Sequence, residues 1–127
     1  MTASGLQLRS RDLAKFGLLI LNEGRWKGQQ VLPPSWIAQM LTVRRQPNAE
    51  QGYGYLIWHG DFAGAGGTNG AWYMLGNGVN EVLILKELDA VVVITRTDYD
   101  RPGAFSRTRR FLEAYVLAAM PCERMGN

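Results

Sequence analysis

The chain reads as an α+β domain, an antiparallel sheet with packed helices, and three features lead there. Two branched, almost uncharged runs, 82–85 and 91–94, are separated only by Lys86-Glu87-Leu88-Asp89 and Ala90, a reversal too short for a parallel crossover. Helix-period apolar stripes stand near both ends of the chain, and strands and helices do not alternate as in a doubly wound sheet. At 127 residues and 46% hydrophobic composition, the length suits one modest domain or a piece of one.

The first element expected is a helix over 10–23. Ser10 is placed to cap it and Asp12 favours the positive end of its dipole, while Leu13, Phe16, Gly17, Ile20 and Leu21 recur at spacings of three and four. Gly24 can end the helix in a left-handed turn, and 25–32 reads as a small hairpin turning at Gly28. Pro33 and Pro34 break it, and a short helix carrying Trp36, Ile37, Met40 and Leu41 follows. Residues 44–51 form a polar loop, and 52–58 resumes as a strand with aromatic alternation.

The glycine-rich stretch 61–70 has little intrinsic shape and reads as a surface connection. It lacks the Gly-Lys-Ser/Thr ending of a phosphate cradle, which sets nucleotide binding aside. Gly76 and Gly78 flank Asn77 at the start of the hairpin whose two strands are expected inside a sheet, and they suit a bulge or a backbone surface that receives a ligand. The last element expected is a helix over 104–120 with Phe105, Thr108, Leu112, Tyr115, Val116 and Ala119 on its apolar face.

Charge and rare residues narrow the function classes. The net charge is +3, but the arginines are scattered among acids, and Arg107, Arg109 and Arg110 read as a solvated helix face, so nucleic acid is not the expected partner. Cys122 is the single cysteine, which rules out an internal disulfide and a cysteine-based metal site, and His59 is the single histidine, read as an ordinary loop or strand-end residue. Asp98 and Asp100 flank Tyr99 with too few ligands for calcium, and Asp12 and Lys15 serve capping and solubility. Trp26, Trp36 and Trp58 read as packing aromatics. No metal or cofactor is implied. There is no apolar run long enough to span a bilayer and no signal peptide, so the chain reads as soluble, with its parent either periplasmic or cytoplasmic.

Several separated motifs then occur in a telling order. They are the opening segment 2–17, Gly24-Arg25-Trp26-Lys27-Gly28, Leu32-Pro33-Pro34-Ser35-Trp36, the segment 53–58, Gly76-Asn77-Gly78-Val79-Asn80 and the strand 91–95. In this order they resemble the C-terminal part of serine β-lactamase-like hydrolases, a superfamily that includes class C β-lactamases, penicillin-binding carboxypeptidases, related esterases and 6-aminohexanoate-dimer hydrolases. The resemblance covers nearly the whole chain, and it implies a central antiparallel sheet with helices on both sides and acylation at a serine. The family's chemistry needs a Ser-x-x-Lys turn, a Tyr-x-Asn or related element, and a strand bearing Lys-Thr-Gly or a variant, whose backbone amide serves the oxyanion hole.

Only the third element has a counterpart here. Ser4, Ser10, Ser35 and Ser106 are followed three places on by Gln7, Leu13, Ala38 and Arg109, and no tyrosine stands two before an asparagine. Residues 1–127 are therefore expected to be a single partial domain, a C-terminal fragment or truncated product without a catalytic residue of its own. Trp72, Tyr73, Gly76, Asn77 and Gly78 are expected to form one wall of a cleft for a small ester or amide. The cation that many relatives carry just before the glycines is replaced by Leu75, or by Ala71 in another register, which leans towards an esterase or amide-hydrolase ancestor. The readings are an inactive fragment of a serine hydrolase, half of a two-chain hydrolase completed by an N-terminal partner, or a binding and assembly module. Uncovered sheet edge and helix surface would favour self-association.

Overall fold

The first turn of α1 (Ser10–Leu21) starts from Arg9, whose extended backbone (φ −70°, ψ 151°) is the N-cap. The computed structural model describes residues 5–121. Ser10 does not cap the helix as expected; its hydroxyl instead lies 2.9 Å from Thr95 Oγ1, tying the start of α1 to the far end of the sheet. Gly24, at φ +86°, ends the helical stretch with its N–H on the Leu19 carbonyl at 2.8 Å. Lys27 (φ 48°) and Gly28 (φ 81°) then make the two-residue reversal between β1 (Arg25–Trp26) and β2 (Gln29–Gln30). Pro34 opens α2 (Pro34–Met40), where its missing N–H costs nothing.

Five antiparallel strands follow in simple sequential order: β3 (Gln51–Tyr53), β4 (Trp58–Gly64), β5 (Gly67–Gly76), β6 (Asn80–Leu85) and β7 (Ala90–Ile94). The segment 52–58 is not one strand. Its residues Gly54 to Ile57 form a turn, with Leu56 at φ 57°, and the chain re-enters the sheet at Trp58. The stretch 61–70 is not a loose connection either, because Asp61 pairs with Gly70 and Gly64 with Gly67 in a tight β4–β5 hairpin. Gly64, Gly67 and Gly70 lie within the two strands and Gly66 in the turn between them, so composition alone suggested a surface connection where cross-strand pairing supplies the order.

The pleat separates two cores. Ala71, Tyr73, Leu83 and Leu85 face one side with Phe62, and Leu112 and Leu117 of the C-terminal helical segment cover them. Ile84, Trp72 and Met74 face the other side, packed with Ile20, Ile37 and Ile57 under α1 and α2. Leu83, Ile84 and Leu85 are fully buried, each stabilising the fold by roughly 1.5–3 kcal/mol. Helices therefore lie on both faces of an antiparallel sheet, an α+β architecture. Gly17 sets the approach of α1: a Cβ there would stand 2.5 Å from Val91 Cγ1. Phe16, expected in the stripe, is 49% exposed instead.

The C-terminal helix also departs from expectation. The α-helical part, α3 (Ala104–Phe111), passes into a π-turn over Leu112–Val116 and a 3₁₀ turn over Leu117–Ala119. The wider π-turn rotates the following residues, so that Leu117, five places after Leu112, returns to the sheet. Tyr115, within the π-turn, is 70% exposed, and Phe105, expected on the apolar face, is 48% exposed in α3 before it.

Candidate functional site

The strongest candidate lies where β5 ends and β6 begins. Asn77, Gly78 and Val79 connect the paired residues Gly76 and Asn80, and Val79 N–H closes the turn on the Gly76 carbonyl at 3.2 Å. The glycine pair is therefore a hairpin turn rather than a bulge, and the Asn77-Gly78 dipeptide was the signal for it. Gly78 has φ +83° and Val79 φ +62°. A β-branched residue in the left-handed region is strained, and Val79 is held there because its side chain is only 1% exposed.

The segment after β7 straps this turn. Asp98 N–H donates to the Gly78 carbonyl at 3.3 Å, and the Tyr99 ring lies so close that a Cβ on Gly78 would stand 2.6 Å from Cε1. Asn77 Nδ2 donates to Asp100 Oδ1 at 3.2 Å, while Asn77 Oδ1 accepts the Gly78 N–H at 2.8 Å. Asn80 Nδ2 donates to the Asn77 carbonyl at 3.2 Å, and Asn80 Oδ1 accepts the Arg96 N–H at 3.3 Å. Arg96 pairs with Asp98 and reaches Thr108 Oγ1 at 2.8 Å, which anchors the strap to α3. The link from Asn80 through Arg96 to Thr108 escaped the sequence because it is tertiary.

Within the turn, the Asn77 N–H makes no hydrogen bond to a described residue, and Asn77 is exposed. It is an unengaged backbone donor of an exposed residue at this strand end. The Gly78 amide is engaged by the side chain of Asn77. Among the described residues no hydroxyl hydrogen-bonds to a lysine or histidine side chain. No group of three or more His, Cys, Asp or Glu that could hold a metal occurs among them.

The five residues expected to share a cleft wall do not share one. Gly76, Asn77 and Gly78 lie together at the turn, but Trp72 and Tyr73 are neighbours on a strand and point to opposite faces. Trp72 packs in the α1–α2 core with His59 tilted against it at 4.7 Å between ring centroids. Tyr73 is only 2% exposed, meets Phe62 edge-on at 5.6 Å, and its hydroxyl accepts a 2.7 Å hydrogen bond from Gln51 Nε2. Burial raises the Tyr73 pKa, opposed by that hydrogen bond. Of the tryptophans read as packing residues, Trp58 packs against the core, whereas Trp36 is 44% exposed and stacks on Tyr55.

The sheet also buries an acid that the sequence reading passed over. Glu81 on β6 is 6% exposed, and burial pushes its carboxyl up to about 7, against the attraction of Arg109. The uncharged apolar run 82–85 placed a strand there, but only the register, with Glu81 between Leu75 and Ile94, shows that the acid points inward. Cys122 lies outside the described residues. A shallow surface hollow is lined by Leu21, Asn22, Glu23, Arg25, Lys27 and Gly28, none of them an expected site residue. No helix among the described residues is long and apolar enough to cross a membrane. No family model matches the chain, and no curated protein matches it.

Proposed function

We propose that this chain supplies the C-terminal sheet and the glycine turn of a serine β-lactamase-like hydrolase, without turnover of its own. The observation that carries the reading is the strand end at Gly76: a strained, strapped turn that holds the unengaged backbone N–H of an exposed residue in place. A donor fixed in this way can meet an oxyanion that develops during acyl transfer. The helices on both faces of the antiparallel sheet and the order of the motifs agree with that origin. The serine and its lysine would come from another segment, and the uncharged Leu75 before the turn favours ester or amide substrates over one held by its carboxylate.

One observation favours the alternative of a non-catalytic binding module. Both faces of the sheet are closed by the chain's own helices, and Leu83, Ile84 and Leu85 are completely buried without a second polypeptide. The two readings separate on a mixing experiment. The purified chain should leave nitrocefin and short p-nitrophenyl esters unhydrolysed and should not react with a fluorophosphonate probe. Hydrolysis that arises only when a polypeptide bearing Ser-x-x-Lys is added, and that is lost when its serine is replaced, supports the hydrolase half. A covalent adduct mapped to a side chain of the isolated protein would overturn the proposal.

A further inference from the structure

We infer that β7 is a self-complementary edge through which two copies of this chain pair antiparallel about Val92. The sheet order ends at β7, and no described residue outside β6 forms a backbone hydrogen bond with Ala90 to Ile94. Natural edge strands are guarded by charges, prolines or bulges. β7 is Ala-Val-Val-Val-Ile, with none of these and every residue half-buried. The expectation that both hairpin strands lie inside the sheet therefore fails for β7 in the single chain.

The occupant is a second copy because the strand matches itself in both shape and charge. A two-fold axis at Val92 sets Val91 opposite Val93 and Ala90 opposite Ile94, and the alternation keeps each residue facing the same layer as its opposite number. Val92, Ala90 and Ile94 pack against the core under the C-terminal helix. Gly17 of α1 lies against Val91 on the other face. In this register Asp89 falls opposite Thr95 of the second copy. The Ser10–Thr95 hydrogen bond holds the N-terminal end of α1 at that point, with Arg9 and Arg11 on either side of Ser10. The turn before each strand, net −1 with Glu87 and Asp89 against Lys86, thus meets the basic, dipole-positive end of α1 from the other copy, twice per dimer. Among the described residues neither Arg9 nor Arg11 forms an ion pair within its own chain.

Two measurements test the pairing, both on the full chain. In a Cys122→Ser background, Val92→Cys should give a covalent dimer under mild oxidation, because opposed residues in an antiparallel pair lie about 4.5–5.5 Å apart at Cα, within disulfide reach. Thr97→Cys, five positions from the axis, should not. Equal cross-linking of the two variants, or none in either, would overturn the register. Independently, sedimentation equilibrium should show a dimer whose dissociation constant rises about tenfold in Glu87→Lys and returns towards the parent value in Glu87→Lys with Arg11→Glu. A protein that remains monomeric, or an association indifferent to both charge changes, would sink the proposal. Neither readout depends on hydrolase activity, so the pairing can fail while the functional reading stands.

Discussion

Glu81 shows how one side chain can make stability depend on pH. Its cross-strand partners are Leu75 and Ile94, and burial raises its pKa from 4.5 to about 7 against the attraction of Arg109. The folded protein therefore keeps a proton that the unfolded chain has already released. The resulting stabilisation is complete below pH 4.5 and is lost as pH rises through about 7, to the extent of about 3 kcal/mol. Glu81→Gln removes the ionisation while keeping the shape. Denaturant unfolding of this variant should show a nearly flat profile between pH 5 and 8, and a gain of about 2 kcal/mol over the parent at pH 8. A parent protein whose stability does not fall across that interval would contradict the assignment.

At the scale of single elements, the β5–β6 turn and the C-terminal helix make opposite points. In the turn, Gly78 is doubly constrained, by φ +83° and by the Tyr99 ring above it. Gly78→Ala should cost about 2 kcal/mol, part from the left-handed backbone and part from the ring. Adding Tyr99→Ala should recover the second part alone, so the two changes combine non-additively in a double-mutant cycle. In the helix, the π-turn exchanges Tyr115 for Leu117 at the core. Leu117→Ala is expected to cost about 2–5 kcal/mol, while Tyr115→Ala stays within about 0.5 kcal/mol, and thermal melts of the two variants distinguish this arrangement from an uninterrupted α-helix.

The same elements show what the sequence could express. The runs around Leu83 and Val92 and the stripe through Gly17 and Ile20 announced strands and a helix because their apolar period is local. The β4–β5 hairpin was hidden because Gly64, Gly66, Gly67 and Gly70 carry almost no periodic signal, and its pairing is decided across strands. The π-turn was hidden because nothing in Leu112 to Leu117 marks a change of helical pitch. At the site, the glycines of the turn were legible, whereas the strap from Arg96 to Asp100 was not, since it meets the turn only after β7 has brought it back.

At the scale of the whole molecule, the five-stranded sheet is shared by two cores, and that arrangement fixes how it should unfold. Leu83 and Leu85 belong to the core beneath the C-terminal helix, while the intervening Ile84 belongs to the core beneath α1 and α2. Because these residues alternate along a single strand, neither core can open without exposing the backbone that supports the other. Unfolding should therefore be a single transition. Trp58 reports on the first core and Trp72 on the second, so variants with Trp26 and Trp36 replaced by Phe and only one of these tryptophans retained give face-specific fluorescence. The two fluorescence midpoints should coincide with each other and with far-ultraviolet circular dichroism, compared at one protein concentration because pairing of copies adds stability. Ile37→Ala removes a side chain that is 1% exposed under α2, and it should lower both midpoints together, for a loss of about 2–5 kcal/mol. If Ile37→Ala moved only the Trp72 signal and left Trp58 unchanged, the helical cover over that face would be a separable unit, and the sheet would stand on the C-terminal core alone.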